Sequence, residues 1–382
     1  MGMAGGSGGT ERVQVVCVTP VGPQGMGGID RLYFYMREHA AATGHTPGVD
    51  ITYFAARGNA AGSRWILAFP LRVLAFVWLL LTRKVDIVHI NHSTHGSAVR
   101  KWLLASLARL FGKTVTCHFH GLVSDQDYAA NPAWLALYRA LLRKADRIVI
   151  LGEFFAADLG RRFGVPADKM VVIPNGIPDF AADLPLPKPA GETPLILFAG
   201  EVGPRKGAGL LLEALAMLRQ KTPRWRCTVA GNGDIPEYRA MAQMLGLKDR
   251  VSFTGWVNAD QVHALMRDAD IVILPSRIEA LPLSLIEGAC AGAALVSSNA
   301  GASAEIARQG RNGVIVPLES EAIADVLAAL LADPARLDAM QLASRALFLE
   351  RFRIDQFEAA MTAFFLRLAG RRVPGAEPFS AE

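Results

Sequence analysis

Short apolar runs rich in β-branched residues alternate along the chain with longer stretches of helical period. In the first half the runs are Arg12–Thr19 (RVQVVCVT), Val85–Asn91 (VDIVHIN), Lys113–Phe119 (KTVTCHF), Asp146–Leu151 (DRIVIL) and Met170–Ile177 (MVVIPNGI), with a helical pattern starting at Arg31. Runs of this length between helices predict parallel strands buried on both faces and joined by crossover helices. Residues 178–194, PDFAADLPLPKPAGETP, follow neither period and read as a linker. The strand pattern then restarts at Leu195–Gly200, Arg226–Gly231, Arg250–Val257, Asp270–Ser276, Ala293–Ser298 and Gly313–Pro317. Helices are predicted over Ser320–Ala332, Arg336–Arg351 and Ile354–Ala369. The expected fold is α/β, with two doubly wound, Rossmann-like domains at 12–177 and 195–351 facing a cleft. A flexible start at 1–11 precedes them, and a C-terminal helix and tail at 352–382 follow. Ligands of open α/β sheets bind beyond the carboxyl ends of the strands, so the chemistry is expected in the loops there.

Two stretches stand apart from this alternation. Trp65–Thr82, WILAFPLRVLAFVWLLLT, is apolar almost throughout, but Pro70 and Arg72 interrupt it. A membrane span needs about 20 predominantly apolar residues, so the stretch reads as a core helix, with a partly exposed helix touching lipid as the second reading. Arg100–Lys113, RKWLLASLARLFGK, places Leu103, Leu104, Leu107, Leu110 and Phe111 on one side of a helix. Arg100, Lys101 and Arg109 fall on the other, which predicts a packed helix with a solvated basic face. Together the two stretches suit docking to an anionic membrane surface.

Composition narrows the classes. At 382 residues and 51% hydrophobic content the chain can bury large cores, and 20% charged residues spread throughout exclude bulk disorder. A net charge of +5 is compatible with an anionic ligand, while the lack of any dense Lys/Arg tract interleaved with aromatics argues against nucleic acid. Cys17, Cys117, Cys227 and Cys290 form no ligand spacing and read as buried thiols of a reducing, cytoplasmic compartment. The start, MGMAGGSGGT, lacks the basic region and apolar core of a secretory signal.

The loops carry the candidate chemistry. Gly22, Gly25, Gly27 and Gly28 follow the first strand but fail the G-x-G-x-x-G pattern, because Asp30 stands at its third position; no Gly-Lys-Ser/Thr follows either. They form a turn whose backbone can approach a ligand ahead of a helix. At the equivalent place of the second domain, FAGEVGPRKGAG puts Arg205 and Lys206 before a helix starting near Ala208, as a diphosphate site would require. His118 and His120, at i and i+2, point to one face of a strand. They are expected, with neighbouring His89, His92 and His95, to face the cleft as hydrogen-bonding groups rather than as a metal cage. Glu279 and Glu287 lie eight residues apart in SRIEALPLSLIEGACAG. On one helix they would be turned by about 80° from each other. Pro282 belongs at a helix start, which leaves Glu279 in a loop and Glu287 in the second helical turn. A carboxylate among Leu283, Leu285, Ile286 and Cys290 needs a polar partner.

These residues resemble the retaining GT-B glycosyltransferases of family 4, the group 1 glycosyltransferases. EALPLSLIE matches their E-x7-E pattern, in order with GMGGID, VIPNGI, GPRKG, VAGNGD, VSFTGWV and NAGASAEIARQGRNGVIVP over about residues 12–365. The resemblance implies the GT-B fold, with C-terminal helices crossing back to the first domain. It implies a nucleotide-diphosphate sugar held mainly by the second domain and an acceptor held mainly by the first. Glu287 would bind the ribose hydroxyls, and Glu279 the donor sugar beside Ala280, Leu281, Pro282 and Leu285. Arg205 and Lys206 would neutralise the diphosphate in place of a metal, with Gly203 among the donor-binding residues, so neither metal nor other cofactor is expected. His120 would lie near the donor sugar, Gly27 and Gly28 in a loop over the diphosphate, and Asn175 with Gly176 in a turn near the domain junction. Glu201 departs from the family, which often has Arg there. The reaction implied is glycosyl transfer to an acceptor hydroxyl with retention. The partner suggested is a saccharide or polyprenyl-diphosphate-linked acceptor in cell-envelope or exopolysaccharide assembly, met at the inner face of the cytoplasmic membrane. A non-catalytic nucleotide-sugar-binding protein and a GT-B epimerase are the alternatives; a dehydrogenase is disfavoured by the missing dinucleotide fingerprint.

Overall fold

The computed structural model describes residues 11–21, 28–44, 47–57, 65–92, 96–121, 132–188, 191, 193–371 and 373. The chain forms two compact units, the first from Met1–Ile150, Leu159–Ile173 and Asp355–Glu382, the second from Leu151–Asp158 and Pro174–Ile354.

The first unit is built on a parallel sheet of β1 (Val13–Thr19), β2 (Val49–Ala55), β3 (Ile87–His92), β4 (Thr114–Phe119), β5 (Arg147–Ile150) and β6 (Met170–Val172), in the order β2-β1-β3-β4-β5-β6. Its central strands are covered on both faces, and their polar residues, such as His89, Asn91 and Thr116, are buried with the apolar ones. The C-terminal helix, Ile354–Leu368, returns to this unit from Asp355 onward. Phe357 sits with its ring 6.3 Å from those of Tyr33 and His118, and Phe365 lies 5.2 Å from His89.

Both stretches singled out above differ from expectation. The helix Trp65–Thr82 forms, and Phe76 and Leu80 pack into a cluster with Val16, Val18, Phe54 and Val88. Its other side is not core, however: Leu67, Leu71, Leu74, Trp78 and Leu81 are exposed. No helix among the described residues is long and apolar enough to cross a membrane. In the helix Gly96–Leu110 the buried residues are Ala98, Lys101, Leu104, Ala105 and Ala108, while Leu110 is exposed. The buried stripe is thus rotated from the one expected, and Lys101, placed on the solvated face by sequence, lies inside it.

The second unit repeats the architecture with β7 (Leu195–Ala199), β8 (Arg226–Ala230), β9 (Val251–Gly255), β10 (Ile271–Leu274), β11 (Ala294–Ser297) and β12 (Gly313–Ile315). All pairings are parallel and the order is β12-β11-β10-β7-β8-β9. Neighbouring β7 and β10 are therefore the point at which the chain reverses its direction of winding, where doubly wound sheets take their ligands.

Candidate active site

At that reversal the loops after β7 and β10 are locked together. From β7 the chain passes Gly200–Gly203 into a 3-10 turn, Pro204–Lys206, and then the helix Ala208–Lys221. Gly207, at the helix N-cap, has φ 75°, and a Cβ there would fall 2.1 Å from the Pro275 carbonyl oxygen. Only glycine meets both demands. Arg277 N–H donates to the Arg205 carbonyl at 2.9 Å. The Lys206 ammonium pairs with Glu279 Oε1, and both side chains are largely buried. Val202 N–H donates to the Asn232 carbonyl at 2.7 Å, holding the β7 loop from its other side.

The loop after β11 closes on the same backbone. Gly301 has φ 56°, and its missing Cβ would lie 1.9 Å from the Glu279 carbonyl oxygen. Ala302 N–H donates to the Ala280 carbonyl at 2.9 Å, and the Ser298 hydroxyl to that of Ser276. Glu279 is thereby held in a loop with its backbone clamped. Substituting Gly301→Ala should therefore destabilise the protein by about 2 kcal/mol or more through strain and overlap. A urea melt checks this; an unchanged midpoint would show that the clamp is soft.

The helix Leu283–Cys290 follows with Pro282 as its N-cap, so it begins one residue after the start expected at Pro282. Glu287 stands in the second turn, 3% exposed, with Leu285 and Ile286 wholly buried beside it. Pro282 and Leu281 are also buried, so the wall between the two acids is apolar. Arg205 is exposed and pairs with Glu201 at 2.7 Å, so the residue that departs from the family occupies the neighbouring cation. Asn175 is buried, and its Oδ1 has no hydrogen-bond partner among the described residues.

In the first unit, side chains of β3, β4 and the helix Gly28–Thr43 form a polar network. Tyr33 Oη lies 2.8 Å from His89 Nε2 and 2.9 Å from His118 Nδ1, and His89 Nδ1 lies 2.8 Å from Thr116 Oγ1. His120 Nε2 is 2.9 Å from Asn91 Oδ1, and its ring is 3.8 Å from that of His118. His118 and His120 thus share a face, as their spacing requires. The expectation that all these imidazoles meet a ligand is corrected: His89, His92 and His118 are fully buried, and His92 lies on the opposite face against Tyr138 and Phe119. Of these histidines among the described residues, only His120 keeps partial exposure. Desolvation holds the pKa of His89, His92 and His120 down at about 3 and that of His118 well below its ordinary value.

Lys101 is the buried group that sequence reasoning missed. It is 1% exposed, with Nζ 3.5 Å from the Val18 carbonyl, and desolvation followed by Arg100 lowers its pKa to about 7. The signal was present, since Lys101 precedes Leu104, Ala105 and Ala108 by three, four and seven residues on one helical stripe. Gly28 opens the helix Gly28–Thr43; Gly27, the rest of its loop and His95 lie outside the described residues. Among the described residues no three His, Cys, Asp or Glu gather as metal ligands.

Comparison with known proteins decides the family. Residues 185–346 match the glycosyl transferases group 1, and residues 9–176 the glycosyl transferase 4-like domain. The chain is 30% identical over 293 residues to the GDP-mannose-dependent alpha-(1-6)-phosphatidylinositol monomannoside mannosyltransferase of Mycobacterium tuberculosis, spanning 71% of this chain and 74% of that one. It belongs to the group 1 glycosyltransferases. The fold of this glycosyltransferase is also that of solved GT-B structures. Sucrose-phosphate synthase from Thermosynechococcus elongatus superposes with a TM-score of 0.77 at 20% identity, over 94% of this chain and all of that one. Anabaena HepE in complex with UDP and glucose gives 0.73 at 19% identity, over 93% and 100%.

Proposed function

We propose that this glycosyltransferase moves a sugar from a nucleotide-diphosphate donor to an acceptor hydroxyl with retention of anomeric configuration. The acceptor class we infer is a lipid-linked saccharide of cell-envelope or exopolysaccharide assembly, with polyprenyl diphosphate as the lipid carrier, met at the inner face of the cytoplasmic membrane. The observation that carries the donor site is the Lys206–Glu279 pair at the β7/β10 reversal, with Arg205 beside it and Glu287 on the following helix. The related mannosyltransferase, named for a nucleotide-sugar donor and a phosphatidylinositol acceptor, supports the substrate classes.

In this reading Glu287 accepts hydrogen bonds from the ribose hydroxyls, and Glu279, fixed by its clamped backbone, accepts one from the donor sugar. Ala280, Leu281, Pro282 and Leu285 line the sugar and diphosphate, with Gly203 and Asn175 nearby; Gly27 and Gly28 cover the diphosphate. Lys206 and Arg205 take up the charge that grows on the leaving diphosphate, so the reaction needs no metal. His120, uncharged at neutral pH, hydrogen-bonds near the donor sugar. The acceptor oxygen forms its bond to the anomeric carbon on the face from which the diphosphate leaves. The anomeric C–O bond breaks, and a phosphate oxygen takes the acceptor proton.

Arg205 must leave Glu201 to meet the diphosphate. An exposed pair is worth at most about 1 kcal/mol, so Glu201→Gln should tighten nucleoside diphosphate binding by about two- to fivefold. Calorimetric titration with UDP and GDP measures this, and weaker binding by the variant would oppose it. The function is tested by incubating a panel of UDP- and GDP-sugars with and without lipid extract. Turnover of one donor is expected, raised by the extract; turnover of none, with NAD(H) binding instead, would sink the proposal.

A further inference from the structure

The helix Trp65–Thr82 presents a face that its own unit leaves uncovered. Leu67, Leu71, Leu74, Trp78 and Leu81 are between 63% and 83% exposed. The remaining exposed positions between them, Pro70 and Ala75, are apolar as well. From Leu67 to Leu81 the outward side therefore holds no polar side chain over about 20 Å of helix. The one charged residue of the helix is drawn the other way: Arg72 donates to the Ala55 carbonyl and lies over the Phe54 ring. A contiguous apolar stripe on an otherwise soluble fold marks an interaction surface.

Charge selects its occupant. Residues 57–113, which hold this helix and the helix Gly96–Leu110 packed on the same side of the sheet, carry nine Lys and Arg and a single acid, Asp86. With Lys101 buried, Arg72 drawn inward and Arg109 paired with Asp146, six cations remain against that one acid. The whole chain has 40 Lys and Arg against 35 Asp and Glu, so outside this segment acids outnumber bases. Arg83 and Lys84 stand exposed where the stripe ends, with Lys84 also pairing with Glu11. Spacings of four and three residues along the stripe would also suit a second copy of the helix. Helix pairing is steered by complementary charges beside the seam, and this helix contains no acid to supply them.

We propose that the Leu67–Leu81 stripe is a membrane-docking face, seated in the interfacial region of an anionic bilayer with Trp78 at headgroup depth and the surrounding cations against the lipid charge. It is a surface of the first unit, includes none of the residues assigned to the donor, and stands whichever acceptor is used.

The test is flotation of the full chain with vesicles of phosphatidylcholine alone and of phosphatidylcholine mixed with phosphatidylglycerol. Wild type is compared with Leu74→Ser/Trp78→Ser, whose replaced side chains face solvent and whose fold is checked by its urea melt. Wild type is expected to float with the anionic vesicles and to be released as salt rises. The variant should bind them about tenfold or more weakly while hydrolysing donor sugar in lipid-free buffer at the wild-type rate. Equal flotation of both proteins would overturn the proposal. So would a wild type that ignores vesicles, including one that sediments as a dimer which the variant abolishes, since a second copy would then cover the stripe. Loss of donor hydrolysis in both proteins would instead count against the proposed function and leave the vesicle result to be read on its own.

Discussion

Replacing Lys206 by Met is expected to lower turnover by about 10²–10³-fold, because it removes a fixed cation aimed at the charge of the leaving diphosphate. The same change should reduce stability by about 3–5 kcal/mol, since it strands Glu279, only 6% exposed, without its counter-charge. The two effects separate in the double variant Lys206→Met/Glu279→Gln. Neutralising both partners should restore most of the stability, while turnover stays low. Urea melts and donor turnover, measured on the two variants and wild type, check both halves. Recovery of activity together with stability would make the pair a packing element and not a catalytic one.

Acid is expected to unfold the first unit through its histidines. His89, His92 and His118 are buried neutral, with folded pKa values of about 3 for the first two and well below the ordinary 6.5 for the third. Lowered folded values mean that the unfolded chain binds more protons between pH 6.5 and about 3. Their contribution is therefore complete above pH 6.5 and is lost as the pH falls. By about pH 5.5 each imidazole should have cost about 1.4 kcal/mol, roughly 4 kcal/mol together, against a usual total of about 5–15 kcal/mol. Carboxylates titrate mostly below this window, which isolates the histidines. Urea midpoints near pH 7.5 and near pH 5.5 measure the loss, and equal midpoints would contradict it. His92→Phe is the sharper probe. Both ring nitrogens of His92 are buried without a hydrogen-bond partner among the described residues, and aromatic rings surround it. The variant should hold its stability better on acidification, by about one histidine's share.

The two-sheet architecture was legible because both sheets are parallel and mostly buried, so β1, β3, β4, β7 and β10 read as short runs without a charged side chain. β2 escaped notice for the complementary reason. It is an edge strand, VDITYFA, with a mostly half-buried pattern and Asp50 in its register, so no such run marks it. The placement of Glu279 in a loop and Glu287 on a helix was readable from Pro282, because proline is favoured at a helix start and costly inside one, although Pro70 is carried inside the helix Trp65–Thr82. Partnerships were not readable. That Lys206 meets Glu279 and that Gly301 backs the Glu279 carbonyl depend on the tertiary meeting of separate loops, and that Glu201 holds Arg205, four residues on, depends on the turn their own loop takes. The helix Trp65–Thr82 shows a further limit: hydropathy says that a face must be covered, but not whether protein or another surface covers it. Lys101 was misplaced because a charged residue was assumed to face water, although the helical period put it on the buried stripe.

The role assigned to Glu287 bears most directly on the donor site, and one titration series tests it. The nucleoside diphosphate of the turned-over donor and its 2′,3′-dideoxy analogue are each titrated calorimetrically into wild type and Glu287→Ala. Hydrogen bonds to a charged group are worth about 1.5–3 kcal/mol, so the substitution should weaken the natural nucleotide by about 10- to 100-fold. The analogue should bind wild type about as weakly, and the substitution should scarcely affect it further. Unchanged affinity of Glu287→Ala for the natural nucleotide, or an equal loss for both ligands, would contradict a ribose-binding carboxylate at this position.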